Sequence, residues 1–207
     1  MGQYRYMLRK TLAPWRFKET IDEVKEFCQE FHIDEVIWKV DAEDFNHGIT
    51  PLSIIKEFIP WLGKARDELS EIGVAFSINP WVTHNHSDRG RDMRKVHPGM
   101  EFCLDWTGLQ SKACACSLSR VWRDWLSESY RLYASTKPSI LWVEDDIRTY
   151  NHSPVSWGCF CPAHLRLFSE RVGLSKTISR EELIKAILAP GKPHPWRGEW
   201  MKMLSDI

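Results

Sequence analysis

With 207 residues the chain can enclose one sizeable hydrophobic core and is short for two. Lys plus Arg and Asp plus Glu both number 28, so no net field draws in nucleic acid or an anionic membrane surface. No apolar run approaches the roughly 18 residues that span a bilayer, and the start, Met1 to Met7, has no export-signal core with a cleavage site. These features predict one soluble, cytoplasmic domain over 1–207, with no nucleic-acid partner and no membrane partner.

Tyr4 to Leu8 is a short apolar-aromatic run that predicts a first strand, and a helical period follows it at Ile21, Val24, Phe27, Cys28 and Phe31. Glu35 to Val40 reads as a second strand whose exit carries Asp41, Glu43, Asp44 and His47. Thr50-Pro51 then opens a helix with Ile54, Ile55, Phe58, Trp61, Leu62, Ala65 and Leu69 on one face. Val74 to Asn79 predicts a third strand, exiting through Pro80, Trp81, His84 and His86. The stretch after it has no helical period, and a connection of that length is functional or holds short elements of its own.

Ser117 or Ser119 caps a helix with Val121, Trp122, Trp125, Leu126, Leu132 and Tyr133 at helical spacing, and Lys137-Pro138 stops it. A fourth strand begins at Ile140 and runs into Glu144-Asp145-Asp146. Helices then follow His164, the capping box Ser179-x-x-Glu182, and Pro195. Strand and helix alternate four times with no fifth strand, which predicts an α/β fold: the N-terminal half of a (β/α)8 TIM barrel, four parallel strands alternating with helices. A doubly wound sheet is the alternative, but no glycine-rich turn follows the first strand.

Half a barrel has open edges that further residues, another chain or a second copy must cover. The last helix reads as interrupted, so a chain truncated before strand five, or a homo-oligomer, is expected.

Six cysteines in a chain without an export signal point to metal rather than disulfides. Cys159-x-Cys161-x-x-His164 puts two thiols and an imidazole within one turn, and Cys114-Ala115-Cys116 offers a fourth ligand from either cysteine. Thiolate and imidazole suit tetrahedral zinc, and four protein ligands leave no open position, so the expected cofactor is a structural zinc. Cys28 belongs to a helix core; Cys103 has no assignment from sequence.

Strand alternation turns Leu141 and Val143 toward the helices and Trp142, Glu144 and Asp146 toward the barrel interior. Paired carboxylates at a barrel mouth are the equipment of glycoside hydrolysis, one protonating the leaving oxygen while the other acts as nucleophile or base. Interior salt bridges to Arg148 or Lys39 are the alternative role for the same acids. Eleven tryptophans, several just past strands, could offer flat faces to a sugar.

Taken together, Cys116-x-x-Ser119-x-x-Trp122-Arg123, a strand ending in acids, and Cys-x-Cys-x-x-His resemble family 42 of the glycoside hydrolases, the β-galactosidase type, over 116–168. That family is built on (β/α)-barrels. The resemblance implies metal ligands at Cys116, Cys159, Cys161 and His164, the last standing where the family has a third clustered cysteine. It also implies a general acid/base at Asp146, since the family's Asn-Glu pair falls on Asp145-Asp146. The aspartate is one methylene shorter than the family's glutamate, and the family's nucleophile lies on a seventh strand, so this stretch alone is not expected to turn over.

The expected function is therefore that of a glycoside hydrolase-like protein acting on a carbohydrate, with Asp146 and Glu144 catalytic. Asp41, His47, Asn79, Trp81, His84, Asp145, Arg148 and Asn151 would bind substrate. A carbohydrate-binding or regulatory barrel that has lost hydrolysis is the rival, motivated by the missing Asn-Glu pair. A third reading has His84, His86 and Asp146 hold a catalytic ion.

Overall fold

The computed structural model describes residues 4–40, 48–84, 90–143, 157–191 and 193–207. They form two compact units, Met1–Thr83 with Asp124–Asp146, and His84–Arg123 with Ile147–Ile207.

The first unit is mixed α/β. Strands β1 (Met7–Thr11), β2 (Glu35–Val40) and β3 (Ala75–Pro80) pair in parallel in the order β1-β2-β3, joined by helices α1 (Phe17–Phe31) and α2 (Leu52–Ser70). Parallel neighbours need crossovers, and the amphipathic helices supply them. In β2, Glu35 through Trp38 and Val40 are all buried, as expected of a strand covered on both faces.

Helix α1 buries Ile21, Val24 and Cys28, and α2 buries Ile55, Phe58, Leu62, Ala65 and Leu69, so the spacings seen in the sequence are the core-facing stripes. Lys25 of α1 ties the pair together, reaching Glu68 at 2.7 Å and Glu71 at 2.9 Å. The residue past α1 is His32 in the left-handed region, a helix stop more often given to glycine.

The expected fourth strand is not formed as a strand. Leu141 makes a single parallel bridge to Ile78. Around it the N–H groups of Ser139 and Trp142 donate to Phe76 O and Ile78 O at 2.7 and 2.8 Å, and that of Ile78 donates to Ile140 O at 3.1 Å. The segment thus lies beside β3 in sequential order without the full ladder, and Val143 is already 57 % exposed. Three parallel strands, not four, stand among the described residues. Trp38, one of the eleven tryptophans, is fully buried within β2 and offers no face to a ligand.

Helix α4 (Arg120–Ala134) starts at Ser119, whose hydroxyl accepts from Trp122 N–H at 3.4 Å. It buries Trp125, Ser129 and Tyr133, and Trp125 Nε1 donates to Thr50 O at 2.8 Å.

The second unit holds a short helix, α3 (Met93–Val96), and a hairpin of β4 (Phe102–Leu104) with β5 (Gln110–Ala115). It continues with α5 (Pro162–Arg171), α6 (Arg180–Ile187) and α7 (Pro195–Asp206). Phe160, Phe168, Leu183, Ile187, Trp200 and Met203 form the core of the last three helices. Phe160 stacks on Trp200 at 4.8 Å between ring centroids and Phe168 meets the same indole edge-on at 5.4 Å. The Ser179–Glu182 capping box is present with both of its hydrogen bonds. No helix among the described residues is long and apolar enough to cross a membrane.

Two substitutions test this packing by chemical denaturation. Trp200→Ala empties a fully buried site and is expected to cost about 3–5 kcal/mol. Ser179→Ala removes one cap and should cost about 1 kcal/mol.

Candidate metal centre

Three segments of the second unit converge on one point. The hairpin delivers Cys116 just beyond β5. The chain returning at Gly158 delivers Cys159 and Cys161, and the first turn of α5 delivers His164. All four side chains are buried and their ligand atoms lie within 4.8 Å of one another, so the cluster could hold a metal ion. It is the group of this kind found among the described residues.

The geometry follows from local sequence. Gly158 forms an antiparallel bridge with Asp105, and a Cβ at this position would lie 2.8 Å from Leu104 O, so only glycine lets the two backbones approach this closely. Phe160 N–H then donates to Leu104 O at 2.7 Å and Leu104 N–H to Cys159 Sγ at 3.4 Å. Phe160, between the two cysteines, points into the helical core and anchors the knuckle there. Cys161 is the N-cap of α5 with Pro162 at the first helical position, which puts His164 one turn along on the same side. On the hairpin side, Cys116 N–H donates to Glu101 O at 2.9 Å, and Ser119, bonded through its hydroxyl to the Glu101 carboxylate, fixes the exit from β5.

The distances are those of a closed cluster. Cys116 Sγ lies 3.7 Å from Cys161 Sγ, 3.9 Å from Cys159 Sγ and 3.6 Å from His164 Nδ1, and Cys161 Sγ lies 3.2 Å from the same nitrogen. His164 thus turns Nδ1 toward the sulfurs, the atom that would bind an ion, while Nε2 is buried without a hydrogen-bond partner.

Contact with Cys116 and Cys159 holds the Cys161 thiol well below the ordinary thiol range, against the opposing effect of burial. The position at a helix N-terminus favours an anion in the same direction. Cys116 is driven up by its contacts with Cys159 and Cys161 and then by burial, and Cys159 by its contact with Cys103. A negative charge on one of these close-packed sulfurs opposes a second, and a bound dication would remove that opposition. A cavity of about 330 Å³ is bordered by Cys116, Cys161, Leu118 and Arg166 beside the cluster.

The sequence missed the hairpin that carries one ligand. Its signal was present: Asp105-Trp106-Thr107-Gly108 lies between short β-prone runs, and Asp105 Oδ1 accepts from Thr107 N–H at 2.8 Å and Leu109 N–H at 2.9 Å around Gly108 at φ 94°. The hairpin also places Cys103, which packs 3.6 Å from Cys114 Sγ. Of the two cysteines left open as the fourth ligand, Cys116 joins the cluster and Cys114 lies behind it.

Among the candidate substrate-binding residues, Asn79 and Trp81 stand at the end of β3. Asn79 is buried with Oδ1 unpartnered, and Trp81 lies under Arg9 and Lys39 at 4.9 and 5.1 Å. His84, in the second unit, is 2 % exposed; its ring meets Trp122 edge-on at 4.4 Å and its carbonyl accepts from Ala115 N–H. Asp41, His47, Glu144, Asp145, Asp146, Arg148 and Asn151, together with His86, lie outside the described residues.

Metal analysis of purified protein is expected to find one ion per chain, lost in Cys159→Ser and Cys161→Ser but kept in Cys103→Ser, Cys114→Ser and His84→Ala. The ion should leave on acidification, because protons compete for the thiolates. No protein-family model, no curated protein and no solved structure matches this chain.

Proposed function

We propose that the chain is part of a glycoside hydrolase-like (β/α)-barrel of the family 42 type, held together by a structural zinc and acting on a carbohydrate at the C-terminal ends of its strands. The observation that carries this reading is the Cys116, Cys159, Cys161 and His164 cluster, at the positions where the resemblance requires ligands.

Its sulfur–sulfur edges of 3.7 and 3.9 Å match the ~3.8 Å edge of a tetrahedron with metal–sulfur bonds near 2.3 Å, which is zinc's preferred geometry. Four protein ligands saturate the ion, so zinc supplies cross-linking and no catalytic water. The β1-β2-β3 order, with residues 139–142 hydrogen-bonded beside β3, is the sequential order that a barrel needs.

In this reading Asp146 protonates the leaving glycosidic oxygen and then takes the proton back from water, and Glu144 holds the neighbouring charge. Asp41, His47, Asp145, Arg148 and Asn151 follow strands β2 and 139–142 in sequence and would supply polar contacts to sugar hydroxyls from the same end of the sheet. Asn79 and Trp81 share that end through β3.

The second reading is a carbohydrate-binding barrel without hydrolysis. The aspartate at 146 favours it, since a carboxyl displaced by one methylene loses alignment with a fixed leaving group.

Full-length protein incubated with a panel of nitrophenyl glycosides separates the two. Turnover that falls by roughly 10²–10⁴ in Asp146→Asn supports the enzyme. Unchanged turnover removes Asp146 from the chemistry, and sugar binding without turnover in the wild type favours the binding module.

A further inference from the structure

Of the four side chains in the metal cluster, two differ from the rest in their surroundings. Cys161 is 8 % exposed, whereas Cys116, Cys159 and His164 are at 1 % or less. The cavity of about 330 Å³ beside the cluster is bordered by Cys161 and Cys116, while Cys159 and His164 do not line it. A water molecule takes up about 30 Å³ in the liquid, so the space against these two sulfurs admits a molecule of a few heavy atoms. Cys161 is also the N-cap of α5, and a helix start favours the nucleophilic form of a thiol.

Cys116 is the sulfur placed to react next. Its Sγ lies 3.7 Å from that of Cys161, and a disulfide needs about 2.05 Å, a closure of less than ~2 Å that two side chains share. Cys159 is held otherwise, since its Sγ accepts from Leu104 N–H at 3.4 Å and meets Cys103. All six cysteines are free thiols and all lie among the described residues, so no further sulfur of this chain stands elsewhere to intervene. Cys116 and Cys161 are 45 residues apart, and a bond between them closes the same loop, from the exit of β5 to the start of α5, that a bound ion would close.

We infer that Cys161 and Cys116 are an oxidation site, where a peroxide converts the metal-free cluster to a Cys116–Cys161 disulfide that ties β5 to α5 in place of the ion. Cys161 Sγ attacks one peroxide oxygen and the O–O bond breaks, giving a sulfenic acid at Cys161 and one water, which carries off the thiol proton. Cys116 Sγ then attacks the oxidised sulfur; the S–S bond forms, the S–O bond breaks and a second water leaves. The two thiols lose two electrons between them and the peroxide takes up both. The disulfide form has lost two of the four ligands, so it no longer holds the ion, and reduction by a dithiol restores the site. The inference rests on the metal-centre reading of this cluster and is independent of the sugar chemistry.

Full-length protein, stripped with a chelator, reduced and then exposed to hydrogen peroxide, tests it by peptide mapping. The Cys116–Cys161 disulfide is expected as the main product, with loss of two titratable thiols and of zinc uptake, both recovered with dithiothreitol. With zinc at about ten times its dissociation constant the reaction should slow about tenfold, because only ion-free chains react. Cys103→Ser and Cys114→Ser should leave the product unchanged, whereas Cys116→Ser should carry Cys161 on to the sulfinic acid.

A disulfide at Cys103–Cys114 or Cys159–Cys161, or thiols left intact, overturns the inference, and that mapping needs no variant to fold. Equal rates with and without zinc overturn it, as does an ion still held by the disulfide form. Disulfide formation in a protein that never takes up zinc removes the structural ion and keeps this site. Zinc uptake with no disulfide under peroxide does the reverse.

Discussion

Three thiols and an imidazole nitrogen packed within 4.8 Å, all buried, are the constraint on which the second unit turns. Such a cluster has no favourable state of its own. As thiolates the sulfurs repel one another across less than 4 Å, and as thiols they are weak hydrogen-bond donors shut away from water. A bound dication would resolve both problems. The free energy of filling such a site, of the order of 10 kcal/mol or more, is comparable to the entire 5–15 kcal/mol stability of a typical domain. The elements it would join are short. The hairpin is two short strands, marginal alone, and the returning chain is tied to it by one bridge at Gly158. Phe160 then carries the constraint into the helical core, because the residue between the two ligand cysteines is also the one stacked on Trp200.

The first unit obeys a different rule. A parallel sheet must cover both faces, and β2 is buried almost throughout. One face is apolar through Val36, Trp38, Val40, Phe76 and Ile78. The other carries Arg9, Lys39, Ser77 and Asn79, with Glu35 buried at the opposite end against Arg5 at 2.8 Å. Polar side chains on a covered face are costly unless partnered. Glu35 has a counter-ion, and Ser77 accepts from Ile140 N–H at 3.0 Å. At the C-terminal end, among the described residues, Lys39 Nζ lies over the Trp81 ring and Asn79 Oδ1 is buried without a hydrogen-bond partner.

Elements with a single dominant local signal were readable from sequence. The bounds of β2 coincide with its apolar run, the Ser179–Glu182 box forms as written, and α7 begins at Pro195. The clustering of Cys159, Cys161 and His164 was readable too, because they are close in sequence and their meeting within one turn requires little of the tertiary fold. What depended on long-range pairing was not. The hairpin's three-residue β4 is too short to show a period, and its turn signal was hidden in a polar stretch. Ile140 to Val143 looks like a buried strand by composition, yet it bonds to β3 only around Leu141. Hydrophobicity alone does not say whether a neighbour exists on the far side. Trp38 shows the same limit: an aromatic near a strand end is read equally well as core or cleft until the register is known.

The remaining cysteines explain why the cluster stops at four ligands. Cys103 and Cys114 lie 3.6 Å apart directly behind it, near enough in principle to compete. Both sulfurs, however, lie against Ala115 O, at 3.2 and 3.7 Å. A carbonyl oxygen accepts from a neutral S–H and repels a thiolate, and Cys103 is held well above the usual thiol range by its contact with Cys114. Ala115 O thus faces both sulfurs of this pair, whereas Leu104 N–H donates to Cys159 Sγ and Cys161 caps the start of α5. Five sulfurs share one apolar pocket, but only those of Cys116, Cys159 and Cys161 meet His164 within 4.8 Å, so a dication held there would take one imidazole and three thiolates and leave Cys103 and Cys114 as packing.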